Sequence, residues 1–378
     1  MKKTTRHLKN LKSSTCKIRD QAFLHWGKKN LSVTMSLTWG QYAWFSTWTK
    51  QDHMENHQRL HVEKHSPDWK LLWLVGFTDG DGTFSVDRQR KKNGTISWNL
   101  VFKISMKHFN KRALIRAKSI VGAGKVEPST PDGMVTFCIP DRAVLKKHVF
   151  PIFDRFPLLS NKHYDYVRLR QIASLLDDDS LSRKHRDEKI EFLYSLHSSR
   201  DAVAPIWHQK FPFHDFHPEN RKSLDFTKPQ VQTVMSVPWV SGFLEAKGCF
   251  YIVRKEVSTG RYCHAFGVIQ KGNHLVMEAL RCYLKIGAQV QFYTPKSVPT
   301  ETQNRPSFYK IETTNWRTLQ HIRDIFVDSF LGMKSLEFRI WERSLKFVPQ
   351  YDKLRKIQLL LRRIRKRWQI DEIENQNV

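Results

Sequence analysis

The chain has 378 residues, and its 64 Lys and Arg against 36 Asp and Glu give a formal net charge of +28. Such an excess destabilises a compact fold unless a polyanion neutralises it, which favours a phosphate-rich partner. No apolar run approaches the ~20 residues that span a bilayer, and the charge is spread along the whole chain. Nucleic acid is therefore favoured over a membrane surface, and the length suggests about two domains.

The cysteines and histidines give no metal pattern. The 5 Cys and 17 His contain no CxxC pair and no recognisable ligand spacing. Four of the cysteines lie in apolar runs, where a reduced thiol behaves as a small hydrophobe. This usage indicates a reducing compartment.

Residues 1–65 form a basic N-terminal extension with few acids, several tryptophans and weak periodicity. Its composition fits an organellar transit segment, and it fits an extension of an open reading frame equally well. Neither interpretation gives the segment a hydrophobic core, so we expect it to be poorly ordered.

A first folding unit is predicted over residues 66–200. Ser66, Pro67 and Asp68 supply an N-cap, a first-turn proline and an acid on the helix dipole, so an apolar helix is expected to about Gly80. Alternating strands at Thr83–Arg90 and Ser97–Met106 follow, around an Asn-Gly turn. The remaining predicted elements are a helix at His108–Val121, a hairpin of Lys125–Glu127 and Met134–Ile139, and helices at Asp141–Arg155 and Ser160–Leu176.

The same order of elements recurs over residues 234–350. The numbering difference is 166 between Trp73 and Trp239, and 172 between Lys162 and Lys334. A near-constant offset over several landmarks indicates an internal duplication, and hence two antiparallel sheets related by a pseudo-two-fold axis. The second unit is predicted to contain a helix after Ser236, strands Cys249–Lys255, Tyr262–Gln270, Gln289–Thr294 and Ser307–Thr313, and helices His274–Lys285, Asn315–Asp328 and Met333–Leu345.

The proline-containing segment 201–233 is predicted to link the two units. Residues 351–378 form a basic C-terminal helix, at Lys353–Arg367, and a tail. Two interpretations of this helix stay open: a solvated amphipathic helix packed on the second unit, or a clamp for phosphates.

Each unit opens with a helix that carries small residues four positions apart and ends in a polar turn. The positions are Gly76 and Gly80 in the first unit, and Gly242 and Ala246 in the second. Small residues at this spacing let two helix backbones approach closely. Two copies, each followed at once by a polar residue, a glycine and a strand, form a more specific pattern than ordinary helix packing.

With these blocks, "GFTDGDGTF" at 76–84 and "GFLEAKGCF" at 242–250, and the later segments "FPLLSNK" and "FLGMKSLEF", the chain resembles the LAGLIDADG homing endonucleases of the single-chain, two-repeat kind. The resemblance runs from about Ser66 to Lys346. It implies an α+β fold of two α-β-β-α-β-β-α units, with the motif helices at their interface and the two sheets forming a saddle over DNA. It also implies divalent metal held by an acid at each helix end.

Only one of the two metal-binding acids that the resemblance implies is present in this sequence. Asp81 matches the metal-binding position of the first copy, and Asp79 matches the structural acid at the helix end. In the second copy Glu245 matches the structural acid, but Lys247 stands at the metal-ligand position. An ammonium has no lone pair and cannot bind Mg²⁺. We therefore expect Lys247 to occupy the place of the cation and to pair with Asp81.

Other catalytic positions of the family are partly kept. Lys162 and Lys334 match the basic residue that supports the reacting phosphate in each half. Gln270 matches the polar residue that orders active-site water, while Met106 at the equivalent first-copy position cannot hydrogen-bond water usefully. Each half has therefore lost one polar catalytic feature.

The outward face of each sheet is the predicted binding surface. Alternation places Phe84, Val86, Phe102 and Ile104 on the core face of the first sheet, and Phe250 and Ile252 on that of the second. Outward polar residues could contact base edges, with Lys and Arg at the rims on phosphates. The nucleic-acid-binding candidates are Ser85, Gln89, Lys103, Tyr251 and Lys255.

Three functions follow from the resemblance. The first is an intron-encoded endonuclease, a monomer with an internal pseudo-dimer that binds a long duplex site, uses Mg²⁺ if nuclease activity is retained, and has cleavage weakened by Lys247. The second is an RNA maturase that binds its host intron and assists splicing. The third is a decaying reading frame. We expect an organellar location, in a mitochondrion or chloroplast, and no membrane partner.

Overall fold

The computed structural model of the protein describes residues 66–92, 94–216, 224, 226–256, 258, 260–294 and 307–375. The predicted N-terminal extension, residues 1–65, lies outside the described residues, as do the end of the tail and part of the linker.

The first half is a four-stranded antiparallel sheet, with order β1-β2-β4-β3, packed against helices. Its second hairpin is shorter than predicted, and a helix absent from the prediction follows the last expected one. The elements in chain order are α1 (Pro67–Asp81), β1 (Gly82–Arg90), β2 (Ile96–Lys107), a 3-10 turn (His108–Asn110), α2 (Lys111–Val121), β3 (Lys125–Val126), β4 (Met134–Ile139), α3 (Arg142–Val144), α4 (Phe150–Arg155), α5 (Lys162–Leu176) and α6 (Arg183–Ser195).

The second half repeats the architecture with the sheet order β5-β6-β8-β7. Two short linker helices, α7 (Pro205–Lys210) and α8 (Lys228–Gln232), precede it. Its elements are α9 (Val237–Lys247), β5 (Gly248–Arg254), β6 (Tyr262–Gln270), α10 (His274–Tyr283), β7 (Gln291–Tyr293), β8 (Phe308–Thr313), α11 (Trp316–Phe326), α12 (Lys334–Ser344) and α13 (Tyr351–Asn375). The predicted α+β class, the duplication and the paired antiparallel sheets are confirmed.

Both motif helices begin with the same cap. The hydroxyl of Ser66 accepts a hydrogen bond from the Trp69 amide at 3.1 Å, and that of Ser236 accepts one from the Trp239 amide at 3.4 Å. A proline follows each serine in the first turn, where its missing N–H costs nothing. The predicted helix Asp141–Arg155 is instead interrupted by a π turn at Leu145–Val149. Pro151 cannot donate a helical hydrogen bond, which accounts for the break.

Strand alternation sorts the side chains largely as predicted. Phe84, Phe102, Ile104, Phe250 and Ile252 are buried, whereas Val86 is only half-buried. The two sheets and their helices share one core, and a smaller satellite cluster joins Leu354, Ile357 and Leu361 of α13 to Ile252. The C-terminal helix is thus packed on the second half.

The segment between the halves contains more fixed structure than an open linker. Trp207 in α7 is fully buried, and its indole N–H donates to the Leu159 carbonyl at 2.8 Å. Farther along, the Phe226 carbonyl accepts from the Cys282 thiol of α10. The segment is therefore anchored to both halves. None of the described cysteines forms a disulfide. Among the described helices, none combines the length and the apolar composition that a membrane span requires.

The two motif helices pack backbone against backbone. A Cβ on Gly76 would lie 1.9 Å from the Trp239 carbonyl oxygen, and a Cβ on Gly242 would lie 1.9 Å from that of Trp73. One turn later, a Cβ on Gly80 would lie 2.4 Å from the Cβ of Ala246. The first two contacts are reciprocal, as a two-fold relation between the halves requires.

Gly76→Ala is expected to destabilise the protein by about 3 kcal/mol or more, because the added methyl can be accommodated only by moving a helix backbone. Gly287→Ala is the control, since a Cβ there meets nothing within 4 Å. Urea unfolding of both variants is the measurement. Equal midpoints for the two would show that the helices can separate freely.

His264 makes stability depend on pH. It lies on the core face of β6, where its Nε2 is 2.7 Å from the Ser344 hydroxyl, and burial lowers its pKa from 6.5 to about 4. Between these values the unfolded chain binds a proton that the folded chain does not. Its contribution is therefore present above pH 6.5 and is lost as the pH falls towards 4, by up to about 3 kcal/mol.

His264→Leu should remove this part of the pH dependence. Urea unfolding at pH 7.5 and pH 5 measures the effect, with the exposed His185→Gln as control. If the wild type and His264→Leu lose the same stability between these pH values, His264 is not the group responsible.

Candidate nuclease site at the paired helix ends

The carboxyl ends of α1 and α9 meet, and each carries one charged side chain into the junction. Lys247 Nζ donates to Asp81 Oδ1 in a direct ion pair. The two side chains keep 19% and 17% exposure, so the pair faces solvent only partly. This confirms the expectation that Lys247 pairs with Asp81.

The other two helix-end acids are structural. Asp79 is fully buried and accepts from the amides of Leu159 and Ser160 at 2.9 and 3.0 Å. It also accepts from the indole N–H of Trp239 at 2.9 Å, a contact between the halves. Glu245 likewise accepts from the amides of the 331–334 turn, at 3.0 to 3.1 Å. Burial raises the pKa of both carboxyls, although these hydrogen bonds oppose the rise.

Lys162 joins the first helix end. Its Nζ donates to the carbonyls of Thr78 and Gly80, both at 2.9 Å. These last-turn carbonyls form the negative end of the helix dipole, which favours a cation there. Burial, reinforced by the charge of Lys247, nevertheless lowers the pKa of Lys162 to about 8. The ammonium groups of Lys162 and Lys247 therefore both attract the carboxylate of Asp81.

Lys334 does not repeat the arrangement of Lys162. Its Nζ lies 3.3 Å from Glu337 Oε2 in α12, and Arg365 of α13 binds the same carboxylate at 2.8 Å. Although burial opposes it, the positive charges of Lys334 and Arg365 lower the pKa of Glu337 to about 2. The equivalence predicted from the duplicated sequence holds for the backbone positions and not for the side-chain contacts.

The water-ordering positions lie at the ends of β2 and β6. Met106 is buried on the core face with Phe102 and Ile104. Gln270 occupies the matching place in β6, two residues beyond Val268, which pairs with Gly248 at the end of α9. Gln270 is 5% exposed, and its Oε1 has no hydrogen-bond partner among the described residues. A polar group of this kind is available only in the second half.

As it stands, the site does not fit a divalent metal held by two carboxylates. Asp79 and Glu245 already accept backbone hydrogen bonds, and Asp81 is paired with an ammonium. No group of three or more His, Cys, Asp or Glu residues in the described ranges is placed to hold a metal ion. Hard divalent cations need several oxygen ligands, and here one carboxylate faces the junction.

The predicted nucleic-acid-binding residues differ in solvent exposure. Gln89 and Lys255 are exposed, whereas Ser85, Lys103 and Tyr251 are half-buried. The Tyr251 hydroxyl donates to Glu312, which also pairs with Lys310 at 2.5 Å. Lys310 and Glu312 lie opposite Ile269 and Gly267 on β6. This network was not predicted, because one strand's alternation does not identify its cross-strand neighbours.

Comparisons with known proteins agree with this architecture. The family model described as LAGLIDADG endonuclease matches residues 74–173. The chain is 29% identical over 296 residues to "Probable intron-encoded endonuclease Cox1-I1b" of Schizosaccharomyces pombe, covering 78% of this chain and 69% of that protein. It is 20% identical to the uncharacterized mitochondrial protein RF1 of Saccharomyces cerevisiae, with 72% of this chain and 54% of that protein covered.

Solved structures show the same fold. The I-SmaMI LAGLIDADG homing endonuclease bound to cleaved DNA superposes with a TM-score of 0.58 at 19% identity, covering 78% of this chain and 95% of that one. A second I-SmaMI structure, bound to uncleaved DNA target with calcium ions present, gives 0.59 at 19% identity over 76% and 97%. The I-LtrWI endonuclease bound to target DNA gives 0.59 at 15% identity over 79% and 97%.

The chain therefore has the fold of the two-unit LAGLIDADG endonucleases. Its first unit matches the family model described as LAGLIDADG endonuclease, and probable intron-encoded endonucleases are among the proteins to which it is similar.

Substitution should cost much more stability at one acid of the first helix end than at the other. Asp79→Asn leaves one acceptor oxygen where two carboxylate oxygens received several donors, and should cost about 3 kcal/mol of folding stability. Asp81→Asn weakens the partly exposed interaction with Lys247 and should cost about 1 kcal/mol or less. Urea unfolding distinguishes them, and equal losses would contradict the structural assignment of Asp79.

Proposed function

We propose that this protein is a homing endonuclease of the intron-encoded kind that binds a long DNA duplex along the outward faces of its two sheets. We further propose that its cleavage is weakened or lost. The ion pair between Lys247 and Asp81 is the observation that carries the second part. DNA binding is supported by the DNA-bound solved neighbours, which share the fold, and by the net charge of +28.

The Lys247 ammonium bears on catalysis in two ways. It holds the lone carboxylate that faces the junction, and it lacks the lone pair that a metal ligand needs. Metal ions supply several kcal/mol of charge stabilisation in phosphodiester hydrolysis, so loss of a ligand outweighs retained groups such as Gln270 and Lys162. The same ammonium is compatible with binding, because it offsets phosphate charge near the junction.

The related assignments form part of the same proposal. Any remaining cleavage uses Mg²⁺. The protein acts as a monomer with two pseudo-symmetric units, residues 66–200 and 234–350, joined by 201–233 and followed by the basic segment 351–378. Its origin is organellar, in a mitochondrion, as the name of the yeast relative suggests. The relatives' names favour an endonuclease over an RNA maturase.

Lys247→Glu should restore or raise cleavage, by about 100-fold or more, since it supplies a second carboxylate and frees Asp81. The substrate is duplex DNA that joins the exons flanking the reading frame, incubated with Mg²⁺. Lys247→Met is the matched control, because it removes the cation without adding a ligand.

A gain with Lys247→Glu and not with Lys247→Met supports loss of a metal ligand as the cause. Calorimetric titration of Mg²⁺ into both variants gives a readout apart from activity. Efficient double-strand cutting by the wild type would overturn the weakened-cleavage proposal, and failure of the wild type to bind that duplex would overturn the whole of it.

A further inference from the structure

A reciprocal pair of asparagines crosses between the halves beside Lys162. The Asn273 carboxamide oxygen accepts from the Asn161 amide at 2.7 Å, and its nitrogen donates to Asn161 Oδ1 at 3.0 Å. Asn273 precedes α10 in the second half, and Asn161 directly precedes Lys162 in the first. The pair therefore fixes the backbone that carries Lys162.

Neighbouring contacts make this flank rigid. The Asn161 side-chain nitrogen reaches the Ser199 carbonyl at 3.3 Å, and the Asn273 amide donates to the Arg200 carbonyl at 3.0 Å. Asp201 accepts from the His274 amide at 3.1 Å. Residues 199–201 thus bind both halves on the side where Lys162 reaches the end of α1.

The opposite flank differs in these contacts. The duplication offset that relates Lys162 to Lys334 places Met333 at the position of Asn161 and Gly332 at that of Ser160. Asn110, the residue before α2 and the counterpart of Asn273, is 1% exposed. Neither polar atom of its carboxamide has a hydrogen-bond partner in the described part of the chain.

The turn that contains Gly332 lies against the first turn of α2, the helix that follows Asn110. A Cβ on Gly332 would lie 2.6 Å from the Cβ of Ala113, in the first turn of α2. Met333 is buried at 6% exposure and has φ −68° and ψ −23°, close to the −59° and −14° of Asn161. Residue 333 therefore has nearly the backbone conformation of Asn161 but carries an apolar side chain.

The two flanks differ in a second polar contact. The indole N–H of Trp239 donates to Asp79, whereas that of its counterpart Trp73 is buried without a partner among the described residues. The ammonium of Lys334, the residue after Met333, donates to Glu337 and not to a helix-end carbonyl. The first half therefore places its lysine at a helix end, and the second half does not.

We propose that Asn273 is a positioning residue that acts across the pseudo-dimer, through Asn161, to hold Lys162 at the first helix end. Met333 stands at the matching position of the second half and cannot make this contact. When a second metal-binding acid is restored, cleavage therefore favours one DNA strand. The strand preference rests on the proposed function, whereas the positioning contact stands on the geometry alone.

Asn161→Met tests the positioning contact directly, because it copies the residue of the other flank into the same backbone conformation. Hydrogen exchange of the residue-161 amide should become roughly tenfold faster, as expected for loss of a typical partly buried hydrogen bond. Met333→Leu is the matched control and should leave exchange across 331–334 unchanged. An unchanged residue-161 amide in Asn161→Met overturns the proposal.

The second flank offers the converse test. Met333→Asn should raise the unfolding midpoint by giving the Asn110 carboxamide a partner, and the gain should vanish when Asn110→Leu is added. Asn110→Leu alone should be neutral or stabilising, since it removes an unpaired buried polar group. A gain that persists in the double variant would show that Asn110 is not the partner.

Strand-labelled duplex in the Lys247→Glu background separates positioning from simple stability. Adding Asn161→Met should slow cutting of the preferred strand about tenfold at unchanged DNA affinity, and adding Met333→Asn should speed cutting of the other. Equal loss on both strands, or a change in affinity alone, overturns the positioning role. If Lys247→Glu cuts nothing, the repair argument of the proposed function fails, and amide exchange still decides the Asn161 contact.

Discussion

The contact between the backbones of α1 and α9 is the constraint on which the rest of the structure depends. Gly76 and Gly242 each lie against a carbonyl of the opposite helix, so no side chain separates the two axes. This closeness brings both helix carboxyl ends to one junction. It also lets Trp239 of the second half reach Asp79 of the first. The core, the interface and the candidate site therefore share one packing geometry.

The junction concentrates charge in an uneven way. Two of its acids are buried and accept hydrogen bonds from the turns before α5 and α12, which stabilises the fold and leaves them unavailable to a cation. The remaining carboxylate, Asp81, meets an ammonium from the opposite helix. The junction therefore offers a single carboxylate, whereas a hard divalent cation needs several oxygen ligands.

The two halves differ in their side-chain contacts although their strand orders are the same. On one flank, residues 199–201 and the asparagine pair support Lys162. On the other, Glu337 pairs with both Lys334 and Arg365 of the C-terminal helix. The pseudo-symmetry therefore holds for the backbone positions of the two lysines and not for their side-chain contacts.

The sequence by itself determined the repeat, the order of strands and helices, and the charge mismatch at Asp81 and Lys247, because spacing, alternation and capping are local properties. The resemblance to the LAGLIDADG endonucleases, and no local pattern, indicated that Asp79 and Glu245 differ in role from the junction residues. The tertiary structure decided the contacts that join residues far apart in the chain. The pairing of Lys334 with Glu337 and Arg365, the asparagine pair and the anchoring of Trp207 depend on which surfaces meet after folding, and no local pattern encodes that.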